Sequence, residues 1–302
     1  MDIFIMYPDK KVSPLQELQM TTNLDPNVHC IAIKGSFDDC QNLMKSVFGD
    51  LAFKKDFRLG AINSVNWARV MAQIVYYGYI SLRFADGCCF SVPTGNFGNV
   101  FAAFIAKRMG FPVDRLIVAT NENDILHRFF DRGDYSRGET HFTLSPAMDI
   151  QVASNFERYL YYLTDCDSAR VGRCMAEFAN SGKVSMEGPL TDEPFCSATV
   201  KNAEMLDALR TVKQNLGYLL DPHSAVGYVA ANRFLKELSL PVVTVATAHP
   251  AKFPEAIAQA GIDPVAVHQK LEALKNLPTQ REIFTADEAF VKNFIKERAR
   301  GI

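Results

Sequence analysis

Short apolar runs rich in β-branched residues alternate with segments of helical period along the first half of the chain. The runs DIFIMYP, HCIAIKG, CCFSVPTG, RLIVATN and PVVTVATAHP are predicted strands. Between the first two, a helix is predicted with Ser13 as its N-cap and Pro14 as its first residue, and a long helix is predicted from about Asn63 to Tyr79. This alternation predicts an α/β fold with parallel or mixed sheets and helices on both faces.

From Asn155 onward the pattern is helical and polar until the last predicted strand, near Val242 to Thr247. The stretch from Asp263 to Arg300 is again predicted to be helical. The sequence shows no repeat and no obvious linker. We therefore place residues 1–60 in part of a smaller α/β lobe, and residues 61–302 in a larger α/β lobe with a helical C-terminal region.

Composition narrows the function classes. With 302 residues, 48% of them hydrophobic, the chain can bury a substantial core, and its formal net charge of -2 gives no general attraction to nucleic acid or to an anionic membrane. The opening residues MDIFIMYPDKK are too briefly apolar for a signal peptide, and no run reaches the roughly 20 apolar residues that span a bilayer. We expect neither nucleic acid nor membrane as a partner.

The cysteines and histidines give no metal or disulfide pattern. The seven cysteines are scattered and include no CxxC spacing, which favours a reduced, cytoplasmic location. The six histidines form no HxxxH or HExxH pair, so the sequence predicts no zinc site.

The segment CFSVPTGNFGNVFAAFIAKRMG has the pattern of a strand, a glycine-bearing turn and a helix. Gly95 and Gly98 allow backbone amides to turn inward, Asn96 and Asn99 add side-chain donors, and the N-terminus of the helix favours a dianion. The segment has neither GxxxxGK[ST] nor the three glycines of a dinucleotide fingerprint. It predicts a site for a small molecule that bears a phosphate, although an ordinary Gly-Asn turn would have the same pattern.

SVPTGNFGN closely resembles the loop that binds the phosphate of pyridoxal phosphate in threonine synthases. Further segments resemble the same family in the same order over nearly the whole chain: Tyr7-Pro8, VSPLQ (12–16), GSFDDCQ (35–41), NSVNWAR (63–69), ATN (119–121), SPAMDI (145–150), DPH (221–223) and TAHPAKF (247–253).

The resemblance implies fold type II of the pyridoxal-phosphate enzymes and the conversion of O-phospho-L-homoserine and water to L-threonine and phosphate, by a carbon-oxygen lyase of threonine biosynthesis that acts on phosphates. The cofactor would serve as an electron sink. By motif matching, the cofactor phosphate would be held by Gly95, Asn96, Phe97, Gly98 and Asn99. Thr247 would place its hydroxyl against the pyridine nitrogen; the alternative is an ordinary residue at a strand end.

Asn66, Arg69 and Gln73 recur at helical spacing, so all three side chains would face the substrate from one side of the long helix. Arg69 would bind the phosphate or carboxylate of the substrate, a small phosphorylated amino acid. The alternative is a solvated helix face. For His223 a place near the cofactor and a structural role at a helix start remain open, and Lys252 is expected to contact phosphate or to be structural.

The sequence departs from the family in one respect. It has no segment like HGPTLAFKDF, which carries the Schiff-base lysine, and no SGDTG turn. Leu51 to Phe57, LAFKKDF, resembles the lysine segment but follows the GSFDDCQ motif, where the family carries an unrelated connection, so no catalytic residue is assigned.

We expect the 302 residues to be a fragment that lacks the N-terminal part of the enzyme and is inactive alone. The alternatives are one piece of a split enzyme, with the N-terminal segment as a separate chain, or a non-catalytic ligand-binding or signalling module. A phospho-lyase that acts on O-phosphohomoserine or O-phosphothreonine is a further alternative within the family.

Overall fold

The computed structural model describes residues 1–185, 194–263 and 268–299. Their strands are β1 (Ile3–Pro8), β2 (Val28–Lys34), β3 (Cys88–Pro93), β4 (Val113–Thr120), β5 (Asp134–Ser136), β6 (Lys183–Ser185), β7 (Phe195–Thr199), β8 (Val242–Thr244) and β9 (Glu282–Thr285). Their α-helices are α1 (Pro14–Thr21), α2 (Phe37–Gly49), α3 (Leu51–Asp56), α4 (Trp67–Ser81), α5 (Gly98–Arg108), α6 (Ile125–Arg132), α7 (Phe156–Leu163), α8 (Ser168–Ser181), α9 (Asn202–Leu216), α10 (Pro222–Phe234), α11 (Pro254–Gln259), α12 (Gln269–Leu274) and α13 (Glu288–Arg298).

The chain divides into two compact units, and the first contains residues 1–61 and 267–302. Its sheet has the order β1-β2-β9 with parallel pairing throughout, Ile3 lying opposite Val28 and Ile31 opposite Glu282. On one face, Ile31 and Ile33 pack with apolar residues of α2, α3 and α13. On the other, Ala32 packs in a small apolar cluster that includes Met20 of α1.

The structure groups the end of the chain differently from the sequence analysis, which placed all of residues 61–302 in one lobe. Residues 267–302 belong to the first unit, because β9 extends the sheet of β1 and β2, and α13 buries Val291 and Phe294 against it. The prediction of a purely helical stretch from Asp263 to Arg300 was therefore wrong at β9, which has only four residues, most of them exposed. Residues 264–267 and 300 of that stretch lie outside the described residues.

The second unit, residues 62–266, contains a sheet of order β7-β4-β3-β8 in which each pair of neighbours is parallel. Successive side chains of β4 face opposite layers. Leu116 and Val118 pack with α4, α5 and α7, whereas Ile117 and Ala119 pack with α9 and α10. Helices thus cover both faces, which confirms the predicted α/β architecture. In the described parts of the chain, no helix is both long and apolar enough to cross a membrane.

The five strands predicted from apolar runs are confirmed as β1, β2, β3, β4 and β8. The region predicted to be wholly helical after Asn155 also contains β7 and the β6 strand of a short antiparallel pair with β5. The long helix begins at Trp67 instead of Asn63, because the side chain of Asn66 accepts a hydrogen bond from the N–H of Ala68 at 2.8 Å and caps the helix.

Candidate functional site

A cavity of about 260 Å³ lies in the second unit, where β3 ends and α5 begins. The carboxyl ends of parallel strands are the usual place for ligands in such sheets. The cavity is lined by residues from the end of β3, the turn that follows it, the starts of α5 and α10, the first half of α4 and three connections: Ser64, Arg69, Gln73, Pro93, Thr94, Gly95, Asn96, Phe97, Gly98, Asn99, Ala147, Met148, His223 and Thr247.

The loop from Thr94 to Phe97 turns sharply, and its conformation depends on two residues. Phe97 has a φ of 64°, in the left-handed region, while its side chain is buried among the aromatic rings of Phe130, Phe156 and Tyr159. Such a backbone costs about 1–3 kcal/mol, which the buried ring offsets. At Gly95, a Cβ atom would lie 2.6 Å from the carbonyl oxygen of Ala147, so a larger residue would displace the loop.

Five consecutive backbone N–H groups, from the turn into the first residues of α5, have no acceptor in the part of the chain that the structure describes. Within the described residues, the amides of Gly95, Asn96, Phe97, Gly98 and Asn99 make no hydrogen bond. The pairing resumes on either side, since Thr94 donates to Ala119 at 2.8 Å and Phe101 donates to Phe97 at 3.0 Å. A left-handed turn followed by the N-terminus of a helix is the arrangement of backbone amides that binds anions.

A buried and a half-buried tyrosine orient the side chain of Asn99. Tyr76 and Tyr77 both donate their hydroxyl protons to its Oδ1, Tyr77 at 2.8 Å. Burial raises the pKa of Tyr76 to about 12 and that of Tyr77 well above its ordinary value, so both hydroxyls keep their protons. The Oδ1 atom is thereby occupied, and the Nδ2 of Asn99 is the end of the amide left to donate to a ligand.

Asn155 holds the same loop from behind. Its backbone N–H and its Nδ2 each donate to the carbonyl oxygen of Asn96 at 3.1 Å, and its Nδ2 also donates to Ser64 at 2.8 Å. A Cβ on Gly98 would lie 3.1 Å from that Nδ2. Asn155 therefore connects the loop to the segment before α4.

His223 and Thr247 form the opposite part of the lining. His223 is buried at the N-terminus of α10, where its Nδ1 lies 3.0 Å from Oδ1 of Asp221 and its Nε2 accepts the N–H of Ala147 at 3.2 Å. Thr247 lies three residues beyond β8, and its own N–H donates to Ser224 at 3.1 Å. The structure thus brings Thr247 and the loop from Gly95 to Asn99 to one cavity.

Of the three residues predicted to bind substrate, two line the cavity and one does not. Arg69 and Gln73 line the cavity, but Asn66 does not, because its side chain caps α4. Among the described lining residues, Arg69 is the one with a permanent charge, and there is neither a carboxylate nor a lysine. No group of His, Cys, Asp or Glu among the described residues is suited to hold a metal ion. The lining therefore favours an anion.

The chain is similar to threonine synthases in sequence and in fold. The family described as "Threonine synthase, C-terminal" matches residues 224–295. A threonine synthase of Pseudomonas aeruginosa is 49% identical over 267 residues, which cover 86% of this chain and 57% of that protein. A threonine synthase of Saccharomyces cerevisiae is 38% identical, over 98% of this chain and 64% of that protein. A crystal structure of pyridoxal-phosphate-bound threonine synthase from Brucella melitensis superposes with a TM-score of 0.88 at 41% identity, over 99% of this chain and 66% of that chain.

The chain belongs to the threonine synthase family. Its fold is accordingly fold type II of the pyridoxal-phosphate enzymes, as the resemblance implied. The chain spans between 57% and 66% of the length of the threonine synthases it matches here.

The segment LAFKKDF, which resembles the family's lysine segment, forms α3 in the first unit. Lys54 lies over the ring of Phe48, 5.7 Å from its centroid, and both Lys54 and Lys55 are exposed. The described residues that line the cavity all belong to the second unit, and Lys252, which lies in a short 3-10 helix of that unit, is not among them.

Sequence reasoning missed several lining residues. Ser64, Ala147 and Met148 lie in segments that resemble the family, NSVNWAR and SPAMDI, but neither periodicity nor residue chemistry singled them out. Thr94 and Pro93 simply precede the glycine turn. His223, for which two roles remained open, lines the cavity and pairs with Asp221 at the start of α10.

Proposed function

We propose that this chain binds pyridoxal 5'-phosphate in the cavity at the end of β3. The phosphate would accept hydrogen bonds from the amides of Gly95, Asn96, Phe97, Gly98 and Asn99, which are unpaired and lie at the N-terminus of α5. This row of unpaired amides is the observation that carries the proposal. The pyridoxal-phosphate-bound relative of similar fold supports it.

Thr247 would place its hydroxyl at the pyridine nitrogen. A neutral hydroxyl partner leaves that nitrogen less protonated than a carboxylate would, and the cavity lining contains no carboxylate to compete for the position. When bound, pyridoxal phosphate supplies an electron sink that stabilises carbanionic character at the substrate carbons. The chain's own part is to hold the phosphate, orient the ring and shape the space beside it.

Arg69, with Gln73 and Ser64, would bind the phosphate of the substrate. These side chains line the same cavity as the amide loop, and an arginine suits a phosphate because its planar fork donates two parallel hydrogen bonds. The reaction that fits two phosphate-binding groups in one cavity is the family's own, in which O-phospho-L-homoserine and water give L-threonine and phosphate.

A lysine must also reach the substrate's Cα proton for that reaction, and none of the described lining residues is a lysine. We therefore propose that these 302 residues bind cofactor without turnover, and that turnover requires a segment resembling HGPTLAFKDF, in cis or as a separate chain. The cytoplasm is the compartment we infer, since all seven cysteines are unpaired.

The test uses 4-deoxypyridoxine 5'-phosphate, which has the ring and phosphate but no aldehyde and so needs no lysine. Calorimetry should show one site, and Gly95→Ala should weaken binding about tenfold or more, because its Cβ would meet the Ala147 carbonyl. Gly172→Ala in α8 is the matched control, since its Cβ meets nothing within 4 Å. Equal affinity in the wild type and Gly95→Ala would refute the assignment.

The reaction itself is tested by adding the lysine-bearing segment. Release of phosphate together with threonine from O-phospho-L-homoserine supports the synthase. Release of phosphate together with a keto acid would indicate a phospho-lyase instead. Cofactor binding with no product from either phosphoamino acid would favour a ligand-binding module.

A further inference from the structure

A buried carboxylate behind the cavity connects two parts of its lining. Asp221 is 1% exposed and caps α10, and its Oδ1 accepts the backbone N–H of His223 at 3.0 Å and that of Ser224 at 3.4 Å. The same oxygen lies 3.0 Å from Nδ1 of His223, and the other carboxylate oxygen accepts the Ser224 hydroxyl. Neither Asp221 nor Ser224 lines the cavity.

The first branch from this carboxylate leads to Thr247. Its backbone N–H can only donate, so the Oγ of Ser224, 3.1 Å away, accepts that bond and must direct its own proton to Asp221. The last hydrogen bond before Thr247 along the chain is the one that the N–H of Val245 donates to the backbone carbonyl of Ser91. Within the described residues, residues 246–248 make no other hydrogen bond than the one to Ser224. A single hydroxyl therefore fastens the backbone of Thr247.

The second branch leads to residues 95–99, the loop of backbone amides proposed to hold the cofactor phosphate and here called the phosphate loop. The N–H of Ala147 donates to Nε2 of His223, so the ring proton resides on Nδ1 and is donated to Asp221. The carbonyl of Ala147 in turn lies against Gly95, 2.6 Å from the position of a Cβ there. Because the two segments pack this closely, a displacement of Ala147 would displace the loop.

The carboxylate keeps its charge in this place. Burial raises the pKa of Asp221, but the hydrogen bonds from His223 and Ser224 outweigh burial and hold the pKa below its ordinary value. The N-terminus of α10 adds a favourable field. Both branches are thus anchored on an acceptor that stays ionised at neutral pH.

We propose that Asp221 and Ser224 are positioning residues, which fix Thr247 relative to the phosphate loop at the separation that a bound pyridine ring requires. The proposal rests on the proposed function, because it gives Thr247 its position against the cofactor ring. It adds a role for two residues that would not touch the cofactor.

The first measurement needs no ligand. In Ser224→Ala, hydrogen exchange of the Thr247 amide, followed by NMR, should accelerate about tenfold or more, because its acceptor is lost. Ser81→Ala is the matched control: it removes another buried hydroxyl, which donates to the carbonyl of Gly78 within α4 and has no hydrogen bond to Asp221 or to the segment of Thr247. Unchanged exchange in Ser224→Ala would overturn the proposal.

The second measurement separates ring from phosphate. Ser224→Ala should weaken the binding of 4-deoxypyridoxine 5'-phosphate about tenfold but that of inorganic phosphate less than about twofold, whereas Ser81→Ala should leave both affinities near the wild type. Ser224→Cys replaces the hydroxyl with a slightly larger thiol, which is a weaker donor and acceptor, so this second variant should change in the same direction with a smaller effect. Equal weakening of both ligands would indicate a merely structural role and would overturn the proposal.

The two hypotheses fail differently. If the wild type binds neither ligand, the proposed function fails, and this inference about the ring fails with it. If the wild type binds the analogue and Ser224→Ala binds it equally well, only the positioning role is refuted.

Discussion

The ring of Phe97 stacks on the ring of Phe130, with centroids 5.9 Å apart and planes inclined by 18°. This contact holds an aromatic residue at a φ of 64°, a backbone conformation that bulky residues seldom adopt. The curvature of the amide loop is therefore maintained by the aromatic core behind it.

The strain at Phe97 predicts that glycine is less destabilising than alanine at this position, the reverse of their order within a helix. Phe97→Ala should lower the free energy of unfolding by about 3–5 kcal/mol, as for other buried aromatic rings. Phe97→Gly should lower it by about 1 kcal/mol less, because glycine adopts a positive φ without strain. At Phe101, equally buried but within α5, glycine should instead be about 1 kcal/mol worse than alanine. Urea unfolding measures all four variants, and the same order at both positions would contradict the strain argument.

Arg69 is expected to bind the phosphate of the substrate and not the phosphate of the cofactor. With 4-deoxypyridoxine 5'-phosphate bound, the wild type should bind one inorganic phosphate more. Arg69→Ala should weaken that second binding about tenfold, by loss of a charged donor, and leave the analogue affinity within about twofold. Arg83→Ala is the control, because Arg83 follows the same helix but stacks on Tyr79 outside the cavity. Loss of analogue binding in Arg69→Ala would place the cofactor phosphate at Arg69 instead.

Asn66 should affect stability and not binding. Asn66→Ala removes the cap of α4 and should cost about 1 kcal/mol in the free energy of unfolding. Asn66→Asp keeps a capping oxygen and should cost less. Thermal unfolding, and calorimetry with inorganic phosphate while 4-deoxypyridoxine 5'-phosphate is bound, check both expectations together. A folded Asn66→Ala protein that binds the analogue but no longer binds this second phosphate would return Asn66 to the substrate site.

These cases show what the sequence can reveal. The strand, glycine turn and helix around Gly95 were predictable because their pattern is local and the turn chemistry is distinctive. Thr247 was found only by resemblance, since a threonine at a strand end has no chemical signature. Asn66 and Arg69 belong to one helical periodicity with Gln73, and that periodicity does not show that Asn66 caps the helix. The acceptor of the Thr247 amide, Ser224, is 23 residues away in sequence, and only the folded sheet brings the two together.

The ionisation of Asp221 predicts a pH dependence of stability. Its folded pKa lies below the unfolded value of about 3.9, so its stabilising contribution is present above about pH 4 and is lost as the pH falls through the folded pKa. Asp221→Asn should be less stable than the wild type at neutral pH, and the difference between the two should shrink on acidification. Urea unfolding from about pH 7 down to about pH 3 measures the difference. Asp86→Asn, an exposed carboxyl, is the control, and a difference between wild type and Asp221→Asn that grows on acidification would contradict the assignment.

The lysines of the segment LAFKKDF are not expected to bind the cofactor. Pyridoxal phosphate followed by borohydride labels exposed lysines non-specifically, so the informative label is one that inorganic phosphate suppresses by competing at the amide loop. We expect no such phosphate-protected pyridoxyl group on Lys54 or Lys55, because both are exposed residues of α3 in the first unit, whereas the described lining residues all belong to the second unit. Peptide mapping by mass spectrometry locates the labels, and Lys54→Arg and Lys55→Arg should leave the affinity for 4-deoxypyridoxine 5'-phosphate unchanged. When a segment resembling HGPTLAFKDF is supplied, its lysine should acquire the protected label. A protected label on Lys54 in the chain alone would instead make LAFKKDF the cofactor lysine and would overturn the proposal that turnover requires another segment.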